Sequence, residues 1–391
     1  MRRDQRRSFR TVVIAALGAA LSASAAFAAR TPLIYNEDDS HVFKRAETCT
    51  PEALAKYLDS VADGGKVTHF FMCVNAQRAN FPSRVMEPAW APCDVPGWKQ
   101  TSWSVNLKAL NDRGIDPYRI WIDRCRAKKV SPWISFRMND GHCVNDLTYG
   151  GHSRFWREHP EFWTEPNSRD WNQAKRALDY AHREVREYMI AFIKETLERY
   201  DVDGIECDWM RFTQQLTFGH ERELSQCLDE FMHRVRELVR AAEKRLGHRV
   251  QIAARVDSRP EKALNHGTDP FTWARRGDVD LVIACNFFNS ADFELPIDDW
   301  TKRLAEANPQ VLVLPGLDIS VTEKGKGRRF LTVDEYCGWA DRMYSRGAKG
   351  VYLFNLFENT DDVRDFILHR GLDRETVAAH SKSIPAGAQP E

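Results

Sequence analysis

A strand followed by a helix recurs along most of this chain, and that alternation limits the fold more than any other feature. Short apolar segments bounded by turn residues predict strands, and the segments between them carry apolar residues at helical spacing. The predicted strands are residues 32–35, 66–74, 130–138, 200–212, 250–256, 280–287, 311–314 and 350–356. Eight strand–helix units predict an α/β fold, a (β/α)8 TIM barrel. A doubly wound open sheet is disfavoured because no glycine-rich phosphate loop follows the first strand.

Two connections are long for such a barrel, and they follow predicted strands 2 and 3. They span residues 76–115 and 139–176, and they are rich in proline and tryptophan. We expect the barrel domain to occupy residues 29–373. Residues 374–391 are polar and contain proline and glycine, which predicts a disordered tail.

The N-terminus has the pattern of an export signal. Residues 2–10 are basic, residues 11–26 are apolar and small, and Ala26-Phe27-Ala28 forms an A-x-A cleavage site. This predicts a signal peptide over residues 1–28 and a periplasmic or extracellular protein. Arg6 and Arg7 are similar to the pair of a twin-arginine signal. No other apolar run is long enough to span a bilayer.

Charge and cysteine content exclude several kinds of partner and site. Lys plus Arg and Asp plus Glu each number 56, so no net charge attracts nucleic acid. The nine cysteines show no CxxC or zinc-ligand spacing, so neither a metal nor a cofactor is predicted. An odd number cannot pair completely within the chain. We expect mostly free thiols, with Cys93 and Cys143 as the candidates for exceptions.

The predicted fourth strand, residues 200–212, carries acids where a core strand usually carries aliphatic residues. Side chains alternate along a strand, so Glu206 and Asp208 share one face, with Cα atoms roughly 7 Å apart. Two buried like charges cost several kcal/mol unless they are paired or reach solvent. They could form an ion-pair network with arginines such as Arg255. Catalysis is favoured because acids at these strand ends line the mouth of a TIM barrel.

Polar side chains recur at nearly every predicted strand end. Those predicted to lie at the mouth are Glu37, Asp38, Asn75, Arg137, Asn139, Asp140, His142, Glu206, Asp208, Arg211, Arg255, Asp257, Asn286, Asp318 and Asn355. Carboxylates and amides bind sugar hydroxyls, and indole faces stack on pyranose rings. The long loops supply six tryptophans, which are Trp90, Trp98, Trp103, Trp156, Trp163 and Trp171. Each could instead pack its loop against the barrel.

One stretch of the chain resembles a known family. His159-Pro160-Glu161-Phe162-Trp163, followed by the helix from Leu178 and the strand Tyr200-Asp201-Val202-Asp203-Gly204-Ile205, is similar to glycosyl-hydrolase-like family 10. The similarity covers about residues 155–212. It implies an exported TIM barrel that hydrolyses glycosidic bonds.

A second resemblance concerns residues 203–210, which are similar to the family 18 chitinase signature DGxDxDWE. Met210 stands where that signature has its catalytic glutamate. A thioether cannot donate a proton, so this chemistry with an acid at position 210 is excluded.

The preferred hypothesis is a glycoside hydrolase acting on an oligo- or polysaccharide. We expect Asp208 to be the nucleophile or base and Glu206 to be the acid or to orient Asp208, with Asp140 or Asp318 as the opposing carboxyl. The expected substrate contacts are Asn75, Arg137, Asn139, His142, Trp209, Arg211, Arg255, Asp257, Asn286 and Asn355. Two alternatives remain open: a noncatalytic carbohydrate-binding barrel, and a metal-assisted hydrolase that uses Asp140, His142 and Asp208.

Overall fold

A computed structural model describes residues 30–38, 41–286, 291–323 and 327–383. The predicted signal peptide, residues 1–28, lies outside these ranges. The strands are β1 (Leu33–Glu37), β2 (His69–Cys73), β3 (Ser131–Arg137), β4 (Gly204–Asp208), β5 (Gln251–Asp257), β6 (Leu281–Cys285), β7 (Leu312–Leu317), β8 (Ser320–Glu323), β9 (Gly327–Phe330) and β10 (Val351–Phe354). Strands β1 to β7 and β10 form a closed parallel barrel in the order β1-β10-β7-β6-β5-β4-β3-β2. The predicted fold is confirmed.

Helices cover the outside of the barrel between successive strands. They are α1 (Pro51–Ala62), α2 (Ser102–Asp112), α3 (Pro117–Lys128), α4 (Arg154–Glu158), α5 (Arg183–Arg199), α6 (Gln226–Leu246), α7 (Pro260–Asn265), α8 (Pro270–Arg276), α9 (Ile297–Ala307), α10 (Val333–Ser345), α11 (Asp361–Arg370) and α12 (Arg374–Ser383). Local sequence explains where several begin. Thr50, for example, accepts a hydrogen bond from the backbone of Ala53 at 3.1 Å, and Pro51 occupies the first helical turn.

The barrel interior is a separate core from the layer between strands and helices. Phe71, Trp133, Ile283 and Tyr352 belong to the interior core. Gly204 of β4 is required there, because a Cβ atom at this position would lie only 2.5 Å from the Trp133 ring. The alternation of β4 therefore directs Glu206 and Asp208, which share the face of Gly204, into the barrel.

Several boundaries differ from the sequence-based expectation. Helix α2 lies inside the segment predicted to be a loop, since Leu107 and Leu110 are buried and give it an apolar face. The hairpin of β8 and β9 was not predicted. The predicted disordered tail begins instead with α12, whose Val377 is buried in the core. Residues 384–391 lie outside the described residues.

The described cysteines form no disulfides, and the described helices are too short or too polar to span a bilayer. All nine cysteines are free thiols, including half-buried Cys93 and exposed Cys143. Within the described ranges, no helix combines the length and apolar character needed to cross a membrane.

Candidate active site

The two acids of β4 lie inside the barrel rather than on an open surface. Asp208 is 2% exposed, and its Oδ2 atom accepts a hydrogen bond from Nη1 of Arg255 at 2.9 Å. Its Oδ1 atom accepts from the backbone amides of Met210 and Arg211 at 2.9 and 3.0 Å. Three donors therefore satisfy this carboxylate, including a buried cation.

Glu206 lies one step deeper and is completely buried. Its Oε2 atom accepts hydrogen bonds from Asn36 Nδ2 and from the Ser135 hydroxyl. Burial, followed by the negative charge of Asp208, raises the pKa of Glu206 to about 8, and Arg255 opposes this only in part. Glu206 is therefore largely protonated at neutral pH, which lets the two acids share the barrel interior.

A cavity of about 240 Å³ opens at the C-terminal mouth of the barrel. Six of the residues predicted from the sequence to contact substrate or act in catalysis line it: Asn75, Arg137, Asp140, His142, Arg211 and Asn355. Other lining residues are Asp38, His41, Lys44, Asn80, Trp103, Tyr149, His152, Phe357 and Glu358. Neither Glu206 nor Asp208 lines this cavity; the carboxylates that line it are Asp38, Asp140 and Glu358, which follow β1, β3 and β10.

A closed ring of five charged or titratable side chains forms the cavity wall. Arg137 binds Asp38 through Nη2 at 2.6 Å and Asp140 through Nη1 at 2.7 Å. Asp140 Oδ1 lies 2.7 Å from Nδ1 of His142. Nε2 of His142 lies 3.2 Å from Nη2 of Arg211, which in turn lies 3.5 Å from Asp38.

Contacts within the ring determine which nitrogen of His142 carries a proton and keep the two carboxylates ionised. An arginine only donates, so Nε2 of His142 accepts from Arg211 and Nδ1 carries the proton given to Asp140. Burial alone would raise the pKa of Asp140, but its interaction with His142 and the charges of Arg137 and Arg211 outweigh burial and hold the pKa well below its usual range. Burial also opposes ionisation of Asp38, yet Arg137 and Arg211 lower its pKa. Asp38 and Asp140 are therefore both ionised at neutral pH.

Two amide oxygens in the cavity wall are ready to accept hydrogen bonds. Oδ1 of Asn75 and Oδ1 of Asn355 are buried and have no hydrogen-bond partner within the described part of the chain. Buried polar atoms are nearly always paired, so these two favour a ligand that brings hydroxyl or amine donors. Tyr149 adds a hydroxyl whose pKa burial and the charge of Asp140 raise to about 12. Trp103 and Phe357 supply aromatic surface.

The remaining predicted contact residues are placed elsewhere. Asn139 joins two loops by donating to the carbonyl oxygens of Leu178 and Gln214. Trp209 packs against Tyr180 and Phe231, because alternation along the strand turns its ring away from the barrel interior.

On the other side of the mouth, three predicted residues serve local structure. Asp257 accepts from the backbone of Arg259, and Asn286 accepts from the Ser258 hydroxyl. Asp318 accepts from the backbone of Ile319 and is buried. None of the three lines the cavity. Residues 287–290, which follow β6, lie outside the described residues.

The cavity also contains residues that the sequence did not single out as substrate contacts. His41 stacks on Phe357 with ring centroids 3.7 Å apart, and its Nδ1 lies 2.9 Å from buried Glu37. Asn80 and Tyr149 come from the two long loops. Their lengths were the available signal, since long loops at barrel mouths carry binding residues. In the described ranges, no group of three or more His, Cys, Asp or Glu side chains is arranged to hold a metal ion.

The family comparison agrees with the sequence resemblance. Residues 89–229 match the model of the family described as glycosyl hydrolase-like 10. The matched stretch includes β3, β4 and both Asp140 and His142. No curated protein sequence matches the chain.

Solved structures of low identity share the fold. The α-L-fucosidase isoenzyme 2 of Paenibacillus thiaminolyticus has a TM-score of 0.55 at 12% identity, over 91% of this chain and 50% of that one. The glycoside hydrolase domain of PgaB (BpsB) from Bordetella bronchiseptica has a TM-score of 0.51 at 10% identity, over 88% of this chain and 99% of that one. The chain spans at most half the length of the first two solved chains it matches, 42% and 50%. At these identities the likeness shows a TIM barrel.

Proposed function

We propose that this protein is a glycoside hydrolase that cleaves O-glycosidic bonds of an oligo- or polysaccharide bound in the mouth cavity. The observation that carries the proposal is the pair of ionised carboxylates, Asp38 and Asp140, facing a cavity beside two unpartnered amide oxygens. An ionised carboxylate held against the sugar ring suits the positive charge that develops there during cleavage. The match to a glycosyl hydrolase-like family supports the same reaction class.

The residues that line the cavity would have different roles in the reaction. Asp140 is the proposed nucleophile or base, because it is ionised, faces the cavity and is fixed by Arg137. His142 is half-buried and hydrogen-bonds Asp140 through Nδ1, so it would help to orient that carboxylate toward the ligand. Oδ1 of Asn75 and of Asn355 would accept hydrogen bonds from hydroxyl groups of the substrate, and Trp103 would stack on a sugar ring.

The assignment of Asp208 as nucleophile or base, made from the sequence, stays a prediction. Its carboxylate does not line the cavity and already accepts hydrogen bonds from three donors. The geometry favours Asp140 over Asp208 for direct contact with substrate. Glu206, protonated and deeper still, would support Asp208 rather than touch a ligand.

The place of action is part of the same proposal. Residues 1–28 carry the pattern of an export signal, so the substrate would be a periplasmic or extracellular glycan. Fractionation of cells that produce the full chain would find the protein outside the cytoplasm, shortened by about 28 residues. Recovery of the uncut chain in the cytoplasm would contradict this location.

The experiment that tests the proposal measures release of reducing ends. Residues 29–391 would be incubated with soluble glucans, xylans, mannans, galactans, chitooligosaccharides and glycosaminoglycans, and binding to each would be measured in parallel. Release from at least one is expected. Binding of a glycan without release would instead favour the noncatalytic carbohydrate-binding barrel. Activity that EDTA abolishes would favour the metal-assisted alternative.

A further inference from the structure

Of the twelve tryptophans, all of which lie in the described part of the chain, Trp171 is the only exposed one. Its side chain is 55% exposed, whereas Trp156 and Trp163 of the same loop are buried. The loop tryptophans thus separate into those that pack the loop and one that faces solvent. An indole left in water forgoes roughly 1.5–3 kcal/mol of burial, so its position needs a reason other than packing.

One face of the Trp171 ring rests on a fixed cation. The guanidinium carbon of Arg176 lies 4.0 Å from the ring centroid. Arg176 is itself held by the carbonyl oxygens of Val144 and Ser168, at 2.9 and 3.0 Å, and its guanidinium carbon also lies 5.0 Å from the centroid of the Trp163 ring. A fixed guanidinium therefore supports the indole of Trp171, and more than half of that residue's surface stays accessible.

The loop that carries Trp171 borders the wall of the mouth cavity. Arg176 binds Val144, two residues beyond His142. The side chains of Gln173 and Phe212 both lie against Gly141, close enough to crowd a Cβ atom there. Phe212 in turn packs edge-on to His142 with ring centroids 5.1 Å apart. Through Gln173 and Arg176, the loop that carries Trp171 therefore reaches the Asp140 and His142 side of the cavity.

We propose that Trp171 is the platform of an additional sugar subsite outside the cavity, where a pyranose unit stacks on its exposed indole ring. A flat aromatic surface held at the rim of a polar cavity suits the C–H face of a sugar whose neighbouring unit occupies the cavity. The ligand is therefore a chain of several sugar units rather than a small glycoside. This inference rests on the proposed function, since it assumes that a glycan occupies the cavity.

The test compares substrates of increasing length. A series from disaccharide to hexasaccharide, with the linkage that the wild-type protein cleaves, would be assayed with Trp171→Ala, Trp171→Tyr and Leu312→Ala. Leu312 is a matched control because it is 45% exposed at the first residue of β7, at the opposite end of the barrel. For Trp171→Ala, kcat/KM for the hexasaccharide should fall about tenfold, and for the disaccharide it should not change. Trp171→Tyr should restore most of the loss.

The outcomes separate this inference from the proposed function. An active enzyme in which Trp171→Ala leaves the length dependence unchanged, or lowers all lengths equally, overturns the subsite. A second measurement needs no variant: a bound hexasaccharide should protect Trp171 of the wild-type protein from oxidation by N-bromosuccinimide, as mapped by peptide mass spectrometry. Protection without hydrolysis would keep the subsite and reject the hydrolase. No binding by any hexasaccharide of the panel would overturn both.

Discussion

Nη1 of Arg255 donates a 2.9 Å hydrogen bond to Oδ2 of Asp208, and both side chains are at least 98% buried. The pair therefore neutralises a carboxylate inside the barrel. Arg255→Met would leave Asp208 charged without its cation, which should lower the free energy of unfolding by about 3–5 kcal/mol.

Urea unfolding at pH 7 measures this loss, with Arg154→Met as the control. Arg154 forms an exposed ion pair with Glu158, so its replacement should cost less than about 1 kcal/mol. Equal effects of the two replacements would show that Asp208 does not depend on Arg255.

The raised pKa of Glu206 implies that the stability of the protein depends on pH. The pKa of Glu206 rises on folding from about 4.5 to about 8, so the folded state keeps a proton that the unfolded chain loses. The stability it contributes is complete below pH 4.5 and is lost as pH rises through about 8. Glu206→Gln cannot ionise, so the stability of the wild type relative to this variant should fall from pH 5 to pH 8.

Denaturant titrations at several pH values test this, with the exposed Glu198→Gln as the control. If the unfolding free energy of the wild type minus that of Glu206→Gln is independent of pH, or rises with pH, the raised pKa of Glu206 is contradicted.

Replacement of Arg137 should shift the pH profile of activity. Arg137 lowers the pKa of both Asp38 and Asp140, so Arg137→Met should raise both and move the acid limb of kcat/KM to higher pH. Arg137→Lys keeps the charge but loses the planar fork that bridges the two carboxylates. We expect the lysine variant to keep the wild-type limb more closely and to lose about 10²-fold in rate through misplacement. An acid limb unchanged in Arg137→Met would rule out this role.

The contacts of the C-terminal helix, α12, indicate that the folded domain extends beyond residue 373. In α12, Val377 is buried, and Arg374 donates to the carbonyl oxygen of Tyr344 at 2.7 Å. A chain that ends at residue 373 should lose about 2 kcal/mol or more of unfolding free energy. A chain that ends at residue 383 keeps α12 and serves as the control. Equal stability of the two chains would support the disordered tail expected from composition.

The barrel could be predicted from the sequence because each strand has its own local pattern. Alternation along β4 also placed Glu206 and Asp208 on one inward face, and the same alternation would have placed Trp209 outside. Helix α2 was missed because its two core positions, Leu107 and Leu110, lie in a segment otherwise rich in polar residues.

The depth of each strand residue below the mouth of the barrel could not be predicted from one sequence. It depends on the stagger between strands, which pairs Asp208 with Arg137 on one side and Arg255 on the other. In that register, residues just beyond a strand end, such as Asp38 and Asp140, lie above Asp208 and face the cavity. The ring through Arg137 joins residues 99 positions apart in the chain, a closeness that only the closed barrel creates.

The central claim is that Asp140 acts on a glycan bound in the mouth cavity. The most direct test is kcat/KM of Asp140→Asn on the glycan that the wild-type protein cleaves, beside Asp112→Asn, an exposed helical aspartate, as the control. Asp140→Asn should lose about 10²–10⁴-fold in kcat/KM while folding and glycan binding are retained, and the control should lose none. Full activity of Asp140→Asn, with activity lost in Asp208→Asn instead, would contradict it and return the reaction to the carboxylate inside the barrel.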